Sequence, residues 1–143
     1  MKTKNLVIIS IISFAIVCIS AGWFMYNKGP MNIHSASGIE VSAEDLYATF
    51  EKDSSTALKL YDNKIVVVTG VIEKIQTNNE QAQVVLLHTS ENGAYINCTM
   101  DETKPLKTGA RIIIKGICGG IGQGDEDFGL KGDVYLTRAF IPE

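Results

Sequence analysis

The residue types that most often do chemistry are sparse in this chain. Its two histidines, His34 and His88, are far apart in sequence, and no serine or cysteine pairs with either in a recognised motif. There is no Gly-x-Ser-x-Gly elbow, no His-Glu-x-x-His pair, no Cys-x-x-Cys and no phosphate-binding glycine loop. These absences predict a protein that is not an enzyme and uses no cofactor. His34 is expected to be a solvated loop residue, and His88 to end a strand with a backbone hydrogen bond.

The acids are more suggestive. Residues 119–133 read GGIGQGDEDFGLKGD, so Asp125, Asp127 and Asp133 could offer hard oxygen ligands to a cation. Calcium needs several oxygens converging at about 2.3–2.6 Å, and this spacing does not match an EF-hand loop. A long solvated hairpin, with glycine for turn geometry and acids for solubility, explains the segment as well; no metal site is expected. Cys98 and Cys118 pose a narrower question. In an extracytoplasmic domain they could form a disulfide contributing about 2–4 kcal/mol, or each could be buried as a small hydrophobe.

The elements that must position these residues begin after an uncharged apolar run at 6–26, LVIISIISFAIVCISAGWFMY. As a helix it would span roughly 30 Å, the thickness of the hydrocarbon core. It ends in Trp23, Phe24 and Tyr26, residue types that favour the membrane interface. Residues 1–26 are therefore expected to be a single-pass membrane anchor, with a signal peptide cleaved after Ser20-x-Gly22 as the rival reading. Lipidation at Cys18 would want a small residue just before it, where Val17 stands. Lys2 and Lys4 on one side against Lys28 on the other predict a single pass through the cytoplasmic (inner) membrane, with the N-terminus on the inside and the OB domain extracytoplasmic. Residues 27–41, NKGPMNIHSASGIEV, read as a flexible linker in which Gly29-Pro30 ends the membrane helix.

Charge separates along the same line. The 143 residues carry a net −3, but Lys2, Lys4 and Lys28 flank the apolar run while all sixteen acids lie from Glu40 onward. Against them stand ten basic residues, so the C-terminal part carries −6. This counts against nucleic acid, whose phosphates call for Lys and Arg. A hydrophobic fraction of 45% excludes a disordered tail, and three cysteines are too few for a disulfide-dense miniprotein.

Residues 42–143 form the expected domain. Ser42 and Asp45 make a capping-box variant, and Leu46, Phe50, Ala57 and Tyr61 form one apolar stripe, interrupted at Asp53-Ser54-Ser55. After the turn signal Asp62-Asn63-Lys64 come five strands, at 65–75, 81–89, 94–100, 111–118 and 133–141. Gly70 and Gly116 mark bulges or bends. The result is a mainly β fold with an N-terminal helix, a five-stranded OB barrel whose closure removes apolar edges. In such a barrel the fifth strand lies between the third and fourth, which separates Cys98 from Cys118 unless one sits at a strand end.

The residues Ala57-x-x-x-Tyr61, Lys64-x-Val66-x-Val68-x-Gly70, Val84 to Leu87, Asn97-Cys98-Thr99, Lys115-Gly116-x-Cys118-x-Gly120 and Gly132-Asp133-Val134-x-Leu136 resemble a known family. It is the tRNA anticodon-binding-like (tRNA_anti-like) group of OB-fold proteins, small bacterial exported or membrane-anchored proteins of uncharacterised function. The resemblance implies the OB fold and carries no catalytic or ligand-binding residue onto this chain. The family often has a further cysteine in the last strand, where this chain has Ala139.

The expected function is that of a noncatalytic binding or interaction module, whose partner is another protein or a small ligand. Its surface is expected on the outer face of the second and third strands, Gln83, Val85, Tyr95, Asn97 and Thr99, with Asp125 and Asp127 from the loop. One alternative is a structural subunit of a membrane complex. Another is single-stranded nucleic-acid binding, for which Tyr95 alone offers a stacking ring worth about 1–3 kcal/mol per base.

Overall fold

The computed structural model describes residues 2–26 and 32–143, with backbone only at 2–9, 24, 25 and 126. Two compact units follow one another, Met1–Asn32 and Ile33–Glu143. The first contains helix α1, Lys2–Tyr26. Its described side chains are exposed, Ile12, Phe14, Ile16 and Trp23 among them. Among the described residues no helix is long and apolar enough to cross a membrane. The structure thus contains the helix expected over 6–26, without showing the crossing. Lys28, Gly29-Pro30 and the rest of 27–31 lie outside the described residues.

The folded unit starts at Ile33, not at 42. Ile33 is fully buried, and the ammonium of Lys115 donates to the carbonyls of Ala36 (2.6 Å) and His34 (3.4 Å). His34 is an exposed turn residue, as expected, and its ring also lies 4.1 Å from that of Phe140. Ile39–Ser42 then forms β1, parallel to the next strand. A strand of four residues is too short for its period to be read. The linker expected over 27–41 is therefore structured from Ile33 onward.

Two capped helices follow. In α2, Ala43–Lys52, the Ser42 hydroxyl accepts the Asp45 N–H (3.0 Å) and donates to its carboxylate (2.7 Å). Ser42→Ala is expected to lower stability by about 1 kcal/mol, read as a smaller urea midpoint at unchanged slope. In α3, Ser54–Tyr61, Asp53 accepts the hydroxyl and amide protons of Thr56. Those bonds hold its carboxyl below the usual range. Their stabilisation is present above the unfolded carboxyl's pKa and is lost as pH falls through the lowered one.

The barrel comprises β2 (Ile65–Thr77), β3 (Gln83–His88), β4 (Tyr95–Met100), β5 (Arg111–Ile121) and β6 (Val134–Phe140). The sheet order is β1-β2-β3-β4-β6-β5, and β2 also pairs with β5, which closes it. β4 and β6 run parallel, as the OB arrangement requires. Inside, Val66, Val68, Ile96, Ile114 and Leu136 are wholly buried and share one core with Leu46, Tyr47 and Phe50 of α2. The β5 register shifts at Gly116, as expected. The β2 shift falls between Ile72 and Lys74 instead. Gly70 serves close packing: a Cβ there would lie 3.0 Å from that of Ala43 and 3.2 Å from that of Leu87.

Cys98 and Cys118 are free and buried, so the disulfide left open by the sequence does not form. Both pair with Leu136, from opposite sides, which sets them about 9–10 Å apart at normal strand spacing, beyond the ~7 Å limit for a bridge. Burial raises the pKa of both thiols, leaving them inert as nucleophiles.

Candidate functional site

The segment between β5 and β6 folds back on itself as a hairpin. The Gly122 N–H donates to the Asp133 carbonyl (2.8 Å), and Asp125 and Leu130 exchange backbone hydrogen bonds (2.7 and 2.8 Å) around a 3-10 turn at Glu126–Phe128. The Asp133 carboxylate accepts the Tyr95 N–H at 3.0 Å, which ties the base of the hairpin to β4. Among the described residues no group of three or more His, Cys, Asp or Glu could hold a metal ion.

Between the hairpin and α2 lies an open groove of about 660 Å³, lined among others by Tyr47, Glu51, Gly122, Gln123, Leu130 and Lys131. Tyr47 and Glu51 project from one face of α2, four residues apart. The buried Tyr47 hydroxyl donates to the Gly132 carbonyl at 3.2 Å. Burial first, then the charge of Glu51, raises its pKa, so it remains a neutral donor near neutral pH. Above the groove, Lys131 donates to Glu51 (2.5 Å) and Glu91 (2.7 Å). Glu91 is held by a turn in which the buried Thr89 hydroxyl donates to the Ala94 carbonyl (2.7 Å) and accepts the Glu91 N–H (3.3 Å).

The three charged side chains of this latch are 36–43% exposed, so water screens them and the latch adds little stability. Its effect is geometric, since it joins the hairpin to α2 and to the β3–β4 turn. Hydrogen bonds to Glu51 and then Glu91 raise the Lys131 pKa. The latch is therefore complete below the ordinary lysine pKa and is lost as pH rises through the raised one.

The residues expected to form the binding face divide into two groups. Tyr95, Asn97 and Thr99 alternate with buried Ile96 and Cys98 on the outer face of β4 and are half-buried. Lys74 stands over the Tyr95 ring, 5.7 Å from its centre. Val85 is a correction: it is fully buried and pairs with Cys98 inside the barrel. Because β3 reads Gln-Val-Val-Leu-Leu-His, both of its parities are apolar and the sequence could not assign its faces. Gln83 is a correction of the same kind, for its side-chain amide donates to the Lys104 carbonyl and accepts the Lys104 N–H, both at 2.9 Å. It shares the parity of Val85 and so lies off the Tyr95–Asn97–Thr99 face, where it pins the 101–110 connection. Opposite Thr99, Asn97 and Tyr95 stand Val84, Leu86 and His88. The His88 ring lies 3.4 Å from the Glu73 carboxylate, where a backbone hydrogen bond was expected. Asp125 and Asp127 are exposed on the hairpin.

Sequence reasoning missed Tyr47, Glu51, Glu91, Lys131 and Tyr135. Tyr135 pairs with Asn97 across the parallel β4–β6 ladder, which extends the outer face. A Cβ on Gly122 would lie 2.7 Å from the Tyr135 ring, so this ring links that face to the groove. The alternation of β6 was a usable signal for Tyr135, but the latch had none because its carboxylates come from separate elements.

No curated protein matches the chain. A crystal structure assigned as an aspartyl-tRNA synthetase from Leishmania major Friedlin aligns at 6% identity with a TM-score of 0.43, over 79% of this chain and 22% of that one. The chain thus spans about a fifth of that protein's length. The model of the tRNA_anti-like family matches residues 1–126, which covers helix α1 and all the barrel strands except β6. With its closed OB barrel, this chain belongs to the tRNA_anti-like family.

Proposed function

We propose that this protein is a noncatalytic OB-fold binding module, held at the cytoplasmic membrane by residues 6–26 and facing outward, which captures another protein or a small ligand. The observation that carries this reading is the continuity of Tyr95, Asn97 and Tyr135 on the outer β4–β6 face with the groove beside Gly122. Rings flanked by amide and hydroxyl groups combine apolar contact with directional bonding, a usual mixture in ligand sites. The membrane part rests on the uncharged run of 21 residues and on the lysines that precede it.

Replacing Tyr95 and Tyr135 together by alanine is expected to reduce crosslinked partner at least tenfold in affinity capture from solubilised membranes, with the melting curve little changed, in line with the loss of two anchor rings. Undiminished capture would sink the assignment. Protease added to spheroplasts is expected to digest the barrel; full protection would reverse the orientation. Exchanging 6–26 for an unrelated membrane helix tests the alternative of a structural subunit, which would lose its complex while a binding module keeps its partner.

Single-stranded nucleic acid on the same face is a second reading, favoured by the two rings with Lys74 beside Tyr95. The −6 charge of the domain opposes it. Absence of oligonucleotide binding at low salt would dispose of it.

A further inference from the structure

We propose that the groove between α2 and the β5–β6 hairpin receives an extended segment of a partner protein bearing Lys or Arg, whose cationic group docks on Glu51 and Glu91 in place of Lys131. This docking rests on the binding-module reading and specifies its partner. Lys131 already shows the geometry an incoming cation would adopt, with one ammonium bonded to two carboxylates on separate elements. Those carboxylates are the anchored side of the contact. Glu51 stands on α2, whose Leu46, Tyr47 and Phe50 are sunk in the core, and Glu91 stands in the turn closed by Thr89. Lys131, by contrast, belongs to a hairpin segment with glycine at 129 and 132.

The charge around the groove is unbalanced in the direction the docking requires. Among the described residues, the charges of Glu51, Glu91 and Asp133 act on the Tyr47 hydroxyl, with Lys131 opposing them. Three carboxylates thus face one ammonium here, inside a domain of net −6. Such an imbalance draws a cationic segment and repels an acidic one. In the lining, Leu130 is 58% exposed, which supplies apolar contact for residues beside the incoming cation. Gly122, Gly124, Gly129 and Gly132 leave much of the wall without side chains, so an extended main chain can approach closely.

The full chain in dodecyl maltoside micelles is titrated with a fluorescent, end-blocked peptide of sequence GKFKLKG, and with the same peptide carrying Glu for Lys. The lysine peptide is expected to bind and its acidic counterpart not to. Glu51→Gln and Glu91→Gln should each weaken binding about tenfold, and Lys131→Met should strengthen it about fivefold by removing the internal competitor. Lys131→Gln, which keeps a polar side chain, should act in the same direction if Lys131→Met disturbs the melting curve. No effect of either glutamine variant, or no gain from both lysine variants, would overturn the docking. Displacement by spermidine at equal concentration would do so too, because it would assign the carboxylates to a free amine. If these tests fail while capture dependent on Tyr95 and Tyr135 persists, the module stands without a cationic groove. If that capture also fails, the module reading falls with it.

Discussion

Leu136→Ala is expected to lower the unfolding free energy of the barrel by about 3 kcal/mol, near the middle of the range for a buried leucine truncated without collapse of its surroundings. Leu136 has no exposed surface. It stands on β6 between Cys98 of β4 and Cys118 of β5, so the cavity would open where the parallel and antiparallel ladders meet. Neighbouring strands cannot close in to fill it, because their spacing is fixed by backbone hydrogen bonds on both sides. A domain of this size has about 5–15 kcal/mol to lose, so a fall in Tm of more than about 10 °C should accompany the change. Urea unfolding followed by circular dichroism measures it. A loss under about 1 kcal/mol would mean that the barrel repacks freely, contrary to the close-packed core described here.

The second large effect concerns the groove. Gly132→Ala is expected to dismantle it while sparing the barrel. A Cβ at this position would overlap the Gly122 carbonyl and stand 3.1 Å from the Gly124 nitrogen. These are backbone atoms, so no side-chain rotation can relieve the contact. The hairpin base must part, carrying the Gly132 carbonyl away from Tyr47 and Lys131 away from its carboxylates. Amide exchange at Gly122 and Leu130 should accelerate at least tenfold, as expected when local hydrogen bonds open below the global unfolding free energy. Partner capture should fall in parallel, and the thermal midpoint should move by only a few degrees because the core residues are untouched. Gly119→Ala is the matched control, since a Cβ there would meet nothing nearer than 3.7 Å. If Gly132→Ala accelerates exchange and capture is unchanged, the hairpin takes no part in binding.

The legible parts of this protein are those set by short-range physics. Ser42 and Asp53 cap their helices through bonds to residues three positions ahead, and such bonds can be read from a few neighbouring letters. β4 was assigned correctly because Ile96, Cys98 and Met100 alternate cleanly with polar residues. β3 was not: its four central apolar residues satisfy either parity, so Val85 was placed outside although it points inward. The start of the domain was misplaced for another reason. Nothing in His34-Ser35-Ala36 announces that a lysine some eighty positions later will bind its carbonyls.

By itself the sequence determined a closed OB barrel behind an apolar N-terminal helix, the separation of positive flanks from an acidic domain, and the absence of recognisable catalytic motifs. These follow from composition, periodicity and turn chemistry, all local along the chain. Only the tertiary structure decided which β3 residues face inward, that the cysteines stay apart, and that Glu51 and Glu91 meet one ammonium. Lys131 reaches those carboxylates across 80 and 40 positions of sequence, and it does so because barrel closure and the seating of α2 bring three remote segments to one place.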